Sequence, residues 1–425
     1  MTRKTRTVLF FICLFLFLLI APSVIFYSQG YRIDINSKKI TQTGGLFLKI
    51  IPKQVEVFID GKLKKKTDFF FGSALIENLL PKKYKIQVKK EGYYLWEKNL
   101  EIREKEVTEA KNIVLIPENP NFGILTKEVK NFWFSPDEKK IILFEATTHP
   151  PPDKEEGWAL KLYDLERNVK SHLVYEKDIY SKGADLLELE FSPDSKEIFL
   201  EVGTEEQLKY FTLEIDKIPP VLTESKEPSS SFKNTITSKT IGQDIYYLNN
   251  LGHFLKNEER LTEKPFPVKP ETEYVLEIFQ DFVFLREGQI LYQFNPGSKS
   301  FEKFFEPIKD LKISPDYKKV VYFSDYEIWI LFLEKINDQP KREARDKLFL
   351  IRLSEQIKDC FWLNSDYLIF NAANKIKIAE IDDRDRINVV YVAEFENPKI
   401  FWNQFDKKLY ILSDGNLSQS GKLLP

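Results

Sequence analysis

One short phrase, repeated along most of the chain, limits its possible folds more than any other feature. Phe134-Ser135-Pro136-Asp137 precedes Lys139-Lys140 and the apolar run Ile141 to Phe144. Phe191-Ser192-Pro193-Asp194 precedes Lys196 and Ile198 to Leu200, and Ile313-Ser314-Pro315-Asp316 precedes Lys318-Lys319 and Val320 to Phe323. Two weaker copies end in Asp366, before Leu368 to Phe370, and in Asp406, before Leu409 to Leu412. The aspartates at 137, 194, 316, 366 and 406 are separated by 57, 122, 50 and 40 residues. The long gap holds two hairpin-like stretches, Asp244 to Leu255 and Asp281 to Phe294, which brings the units to seven.

Each unit reads as an Asp-containing turn, a short apolar strand, a polar turn and a second strand, such as Leu160 to Leu165 or Tyr210 to Ile215. Proline fixes φ in such a turn, and Ser and Asp side chains bond nearby backbone N–H groups. All-strand repeats of this length are the signature of a β-propeller, whereas stacked solenoids use shorter or helical repeats. The 35 Phe and 19 Tyr suit half-buried strands. Because Asp137, Asp194, Asp316, Asp366 and Asp406 recur with the repeat, they are assigned to turn shaping; a catalytic residue is needed once. Trp133, Trp362 and Trp402 precede the turns in one register and are assigned to blade packing, not sugar stacking.

The N-terminus sets the address. Arg3, Lys4 and Arg6 precede Val8 to Tyr27, a run without charge, and the next charge is Arg32. About 20 apolar residues in a helix span a bilayer's hydrocarbon core. Basic residues before the run place the N-terminus in the cytoplasm and the bulk of the chain outside. A cleaved signal peptide ending near Ala21-Pro22-Ser23 is the competing reading, but the apolar run continues through Tyr27. A lipoprotein reading through Cys13 is weaker, since Ile12 stands where a small residue belongs. The chain therefore divides into a cytoplasmic basic tail (1–7), a transmembrane helix (8–28), a small β-sandwich (44–117) and the propeller (120–425). The lipid bilayer is the partner of residues 8–28.

In the sandwich, Val55, Val57 and Ile59 alternate with polar or opposite-facing neighbours, and Asp60-Gly61 supplies a tight hairpin turn. Tyr84, Ile86 and Val88 form a further strand, Glu91-Gly92-Tyr93 a turn, Tyr94 to Ile102 the return, and Asn112 to Ile116 the close. Ile51-Pro52, VEVFIDGK (55–62), Lys66-Thr67, LLPKKY (79–84) and EGY (91–93) together resemble the PEGA domain, a small β-sandwich of prokaryotic envelope proteins. The sequence departs from that family at Pro52-Lys53-Gln54-Val55, where its signature tetrapeptide stands, and at Lys82, where it carries Gly. The resemblance implies a structural or glycan- or protein-contacting module, not catalysis. The distal units resemble TolB-type, WD-repeat-like blades with a Ser-Pro-Asp-Gly-Lys turn, except that Glu138, Ser195 and Tyr317 replace the glycine. That likeness implies fold, and propellers host many functions.

The sequence carries little sign of chemistry. Formal charge is −2, with 63 basic against 65 acidic residues, so no basic stripe marks a nucleic-acid partner. Cys13 and Cys360 are too differently placed to bridge, and no cofactor or metal motif appears. His149, His172 and His253 share no ligand spacing. There is no nucleophile elbow. Asp382, Asp383 and Asp385, flanked by Arg384 and Arg386, read as a solvated, self-neutralising turn. The insertions at 147–157, 219–234 and 262–273 read as surface loops. Trp158 and Trp96 break the repeat register; each is a candidate contact for a glycan, with burial in a core the favoured alternative. The function expected is a membrane-anchored extracytoplasmic binding or scaffold protein contacting protein or envelope polysaccharide. The rival is an extracellular propeller enzyme cleaving glycan or peptide, which would need carboxylates about 5–10 Å apart at the channel mouth.

Overall fold

The computed structural model describes residues 3–34, 38–147, 157–180, 183–204, 207–225 and 235–424. It opens with α1 (Arg3–Ser28), within which Thr5–Ser28 is long and apolar enough to cross a membrane; its apolar run is not buried, and its last turn, through Phe26 and Tyr27, touches Tyr31 and Arg32. A hairpin of β1 (Tyr31–Asp34) and β2 (Lys39–Gln42) follows.

Seven strands then build a sandwich: β3 (Gly44–Ile51), β4 (Glu56–Ile59), β5 (Lys62–Lys66), β6 (Ser73–Leu79), β7 (Lys83–Lys89), β8 (Trp96–Glu101) and β9 (Val107–Val114). One sheet runs β6-β3-β9, with β3 and β9 parallel, and the other runs β5-β4-β7-β8. The alternation read from sequence is the burial pattern: Val55, Val57, Ile59, Ile86 and Val88 are in the core while their neighbours face out. Asp60 and Gly61 both take positive φ, as the tight turn requires. The parallel β3–β9 pairing has no local sequence signal, because it joins segments some sixty residues apart.

The remainder is a seven-bladed propeller in which every blade is a four-stranded antiparallel sheet. The blades span 129–175, 185–225, 235–260, 274–305, 310–352 and 357–394; the seventh combines three strands of 399–420 with β10 (Phe122–Thr126). The first strand of each blade is innermost, and those of blades 3 and 4, and of 5, 6 and 7, lie side by side around the axis. In blade 7 the N-terminal β10 pairs with the last strand, Asn416–Ser420, so one sheet joins the two ends of the propeller. The ring is thereby closed by one sheet built from both ends, and each blade keeps only a short outer edge strand.

Burial is organised by blade pairs. Leu160, Leu189, Ile198 and Leu213 pack blade 1 on blade 2, while Ile330, Leu350, Trp362 and Phe370 pack 5 on 6. Two expectations are corrected here. The segment 262–273 is more than a surface loop: Phe266 is 8% exposed, edge-on to Tyr274, Tyr292 and Phe301, and buried Thr262 accepts the Phe254 N–H. The charged turn 382–386 is only partly open to water, because the sandwich sits on it: Asp382, Asp383 and Arg384 are half-buried, whereas Asp385 and Arg386 stay exposed.

Candidate functional site

The recurrent aspartates lie in the turns between first and second strands. Ser135, Ser192 and Ser314 each donate their hydroxyl to the aspartate two residues on, at 2.5, 2.7 and 2.5 Å. Those carboxylates accept the N–H of Lys139, Lys196 and Lys318, all at 3.2 Å. The Ser192 hydroxyl and the Lys196 N–H hold the Asp194 carboxyl below its usual range. In the weaker copies asparagine replaces serine: Asn364 accepts the Asp366 N–H, Asn403 accepts that of Asp406, and Asp406 accepts that of Lys408. Burial pushes the Asp366 carboxyl up.

Glu138, Ser195 and Tyr317, which replace glycine, have φ of 58°, 60° and 60°. The left-handed conformation costs an L-residue about 1 kcal/mol. Two of these side chains make contacts that glycine would lack. Glu138 accepts the N–H groups of Gln404 and Phe405 from blade 7, and Ser195 accepts the Asp137 N–H, joining blade 2 to blade 1. Trp362 Nε1 donates to Lys312 O at 2.9 Å, and Gln404 Nε2 to Trp362 O at 2.6 Å, continuing the chain of contacts through blades 5, 6 and 7.

These turns surround a cavity of about 560 Å³ at the axial mouth. Its wall includes Tyr317, Phe361, Phe401, Trp402, Lys312 and Lys407, with Glu138 as the acidic residue lining it. Phe401 bridges stacked Phe134, at 4.1 Å between centroids, and edge-on Phe361, at 5.3 Å. The Lys312 ammonium stands 3.9 Å over the Phe361 ring. Burial pushes the Glu138 carboxyl up despite its two N–H donors. Trp402 is 2% exposed and its indole N–H has no hydrogen-bond partner among the described residues. The mouth is thus aromatic and cationic, and Trp402 in its wall holds a buried indole N–H without an acceptor among the described residues.

A second site lies where the sandwich meets blades 5 and 6, on the same face. Lys98, fully buried, forms an ion pair with Glu380 at 2.6 Å and donates to the carbonyls of Asp382, Arg384 and Arg386. Trp96 Nε1 donates to Glu380 at 2.8 Å, and the Asn99 N–H and side-chain amide both donate to Asp385 at 2.9 Å. Arg384 pairs with Asp382 and donates to Glu109 O, while Arg342 pairs with Asp383. Burial pushes the Glu380 carboxyl up and Lys98 pulls it back. A cavity of about 70 Å³ remains in this seam. The turn 382–386 therefore clamps the sandwich through its carbonyls and Asp385, while Asp382 is neutralised within the turn by Arg384 and Arg386 reaches Glu97 across the interface.

Among the other expected residues, Trp96 is 4% exposed in that seam. Trp158 is 6% exposed in the blade 1–2 core, donating to Ala184 O at 2.5 Å. Neither indole offers a face for a sugar to stack on. Trp362 and Trp402 are core residues and Trp133 packs edge-on to Phe144. His172 stacks on Tyr175 at 3.8 Å, and burial holds its imidazole below the usual value. His149 and part of the insertion around it lie outside the described residues. Cys13 and Cys360 are both free thiols. The sequence signal for the seam was the anomaly it contained, a lysine at inward register in β8 opposite a dense charge run. Nothing local indicated the vacancy at Trp402.

No protein-family model matches the chain, and no curated protein matches it. Solved structures similar to it include the β-propeller domain of Cps50 (Swd1) from Myceliophteria thermophila, at 11% identity and a TM-score of 0.37, covering 72% of this chain and 99% of that one. YCF48 from Cyanidioschyzon merolae is similar at 9% identity and 0.39, covering 71% and 98%. The AfRom2 CNH domain is similar at 8% and 0.41, covering 72% and 100%. The propeller reading rests on the strand connectivity above, since these scores add no argument of their own.

Proposed function

We propose that this chain is a membrane-anchored scaffold that presents a propeller on a rigid stalk and binds a protein partner at the propeller's axial mouth. The bulk lies outside the cytoplasm, α1 is the anchor, and the sandwich, with its PEGA-like sequence, is the stalk. The observation that carries this reading is the mouth itself: an unpaired Trp402 N–H and two lysines in an aromatic wall. Such a wall suits a partner loop bearing an aromatic or aliphatic side chain beside a carboxylate. Buried donors left unpaired cost about 1–3 kcal/mol, which an incoming acceptor recovers. The seam supports the scaffold role, because a stalk clamped by a buried ion pair holds the mouth at a set orientation.

An envelope polysaccharide is the second ligand class, favoured by the PEGA-like sequence alone. The enzymatic alternative calls for paired carboxylates, and the residues lining this mouth include Glu138 with Lys312 and Lys407 instead. The test is affinity enrichment on the detergent-solubilised full chain, comparing the unaltered protein with Lys312→Glu/Lys407→Glu and with Trp402→Phe. A partner that is retained by the parent and by a Lys299→Glu control, and lost by the mouth variants, supports the reading. Equal retention by all four overturns it.

A further inference from the structure

The sandwich has two long edges, and the propeller covers one of them. Strands β8 and β9, the last strands of the two sheets, carry the seam. The opposite edge is formed by β5 and β6, joined by the turn 67–72. That turn holds Phe69, Phe70 and Phe71 in a row, 64%, 74% and 76% exposed. Ile51, Leu63 and Leu75 beside it are also exposed. Three consecutive exposed phenylalanines are costly on a soluble surface and mark a contact.

The turn is built to hold them there. The Asp68 carboxylate accepts the Ser73 hydroxyl at 2.6 Å, the Ser73 N–H at 2.9 Å and the Phe71 N–H. The Gly72 carbonyl accepts the Ile50 N–H, and Gly72 has φ 66°, where a Cβ would stand 2.5 Å from Ile50 O. Lys62, Lys64, Lys65 and Lys66 line β5 beside the turn, all exposed. Lys66 pairs with Glu56 at 2.8 Å and Lys65 donates to Leu75 O at 3.1 Å, leaving both lysines still open to water.

Two facts identify what this edge faces. First, the exit of α1 is on the same side: Arg32, four residues past the helix, donates to Asn78 of β6 at 2.8 Å, and Thr43 donates back to Gly30. The helix end and the phenylalanines thus sit at the two ends of β6, roughly 20 Å apart. Second, the charge is split along the chain. Residues 29–117, past the helix, carry 18 Lys and Arg against 11 Asp and Glu, a formal +7, while 118–425 carry 42 against 54, a formal −12.

We infer that the β5–β6 edge lies on the surface of the bilayer that α1 enters, with Phe69, Phe70 and Phe71 in the headgroup–acyl boundary and the β5 lysines on anionic lipid headgroups. The inference rests on α1 being an anchor. Aromatic side chains favour that boundary and lysines are drawn to anionic headgroups. The net-negative propeller on the opposite edge is repelled by the same surface, so the two contacts together stand it off the membrane in one orientation. An acidic protein partner or a second copy of the chain would use the same patch without lipid.

The full chain in nanodiscs, one molecule per disc, tests this with a single environment-sensitive fluorophore on Phe70→Cys, all in a Cys13→Ser background where the remaining Cys360 is buried. Reference labels go on Phe15→Cys, within α1, and on Ser298→Cys, in an exposed propeller turn. In discs containing anionic lipid, the Phe70 label is expected to be blue-shifted and quenched several-fold more by lipid-borne than by aqueous quenchers. Replacing Lys62, Lys64 and Lys65 with Glu, or using purely zwitterionic lipid, reverses most of that preference. A Phe70 label as aqueous as the Ser298 one, with the Phe15 label in lipid, overturns the inference and leaves the anchor standing. An aqueous Phe15 label overturns the anchor itself.

Discussion

Replacing Lys98 with Ala attacks the seam at its most buried point. Its ammonium serves the Glu380 carboxylate and three carbonyls of the 382–386 turn, with no exposure to water. Without it, Glu380 retains the Trp96 indole N–H and the Asn388 donors, but no cation. An uncompensated buried charge of this kind costs about 3–5 kcal/mol. That cost falls on docking, because the sandwich core and the blade 5–6 core are separate clusters, each intact in the variant. The assay is amide hydrogen exchange on the full chain. The N–H groups of Asn99 and Val114 donate across the seam, to Asp385 and to the Tyr367 hydroxyl, so they report its opening. Their exchange is expected to accelerate by roughly a hundredfold or more, from the free-energy cost at 1.4 kcal/mol per tenfold, while the strands 367–372 and 408–413 stay protected. The pH dependence has a definite sign. Burial raises the Glu380 carboxyl above the ordinary value of a glutamate and Lys98 opposes that rise. Removing Lys98 raises it further, so docking in the variant is strongest below the unfolded value and weakens as pH climbs through the folded one. Lys98→Met combined with Glu380→Gln removes the charge and restores most of the protection. Unchanged exchange at Asn99 and Val114, or acceleration shared equally by both cores, would refute the clamp.

Three further outcomes follow from the packing. Tyr317→Gly relieves a φ of 60° at an exposed side chain and should stabilise the propeller by about 1 kcal/mol, read as a raised Tm; a loss would show that the tyrosine ring packs. Gly252→Ala places a Cβ 2.0 Å from Phe266 O at φ 81°, so it should cost at least about 2 kcal/mol in urea unfolding, whereas Gly242→Ala, with open space around it, should cost about 1 kcal/mol. Cys360, buried with its thiol pushed up to about 12, should resist maleimide at pH 8 in the folded chain and react after denaturation. Native-state labelling there at a rate near that of a free thiol would contradict the blade 5–6 packing.

The propeller was legible because its information is local and repeated. Ser-Pro-Asp encodes one turn by bonds within five residues, and copying that turn announced the blades before any contact was known. The alternation at Val55, Val57 and Ile59, and the uncharged run from Val8 to Tyr27, are likewise one-dimensional signals. What the sequence left open depends on pairs far apart. Nothing near Phe122 states that it pairs with Ser420, and nothing near Gly45 states that it runs parallel to Val107. The charged turn 382–386 looked fully solvated because the lysine that binds its carbonyls lies some 284 residues earlier, and a charge run has the same composition whether water or a second domain covers it. Trp96 and Trp158 stood out by breaking register, yet register cannot distinguish a ring presented to a ligand from one buried against a neighbour. Local hydrogen bonding and hydrophobic period determined the elements; only tertiary contact, which sets the dielectric and the partner of each charge, decided which residues form a mouth, a clamp or an exposed edge.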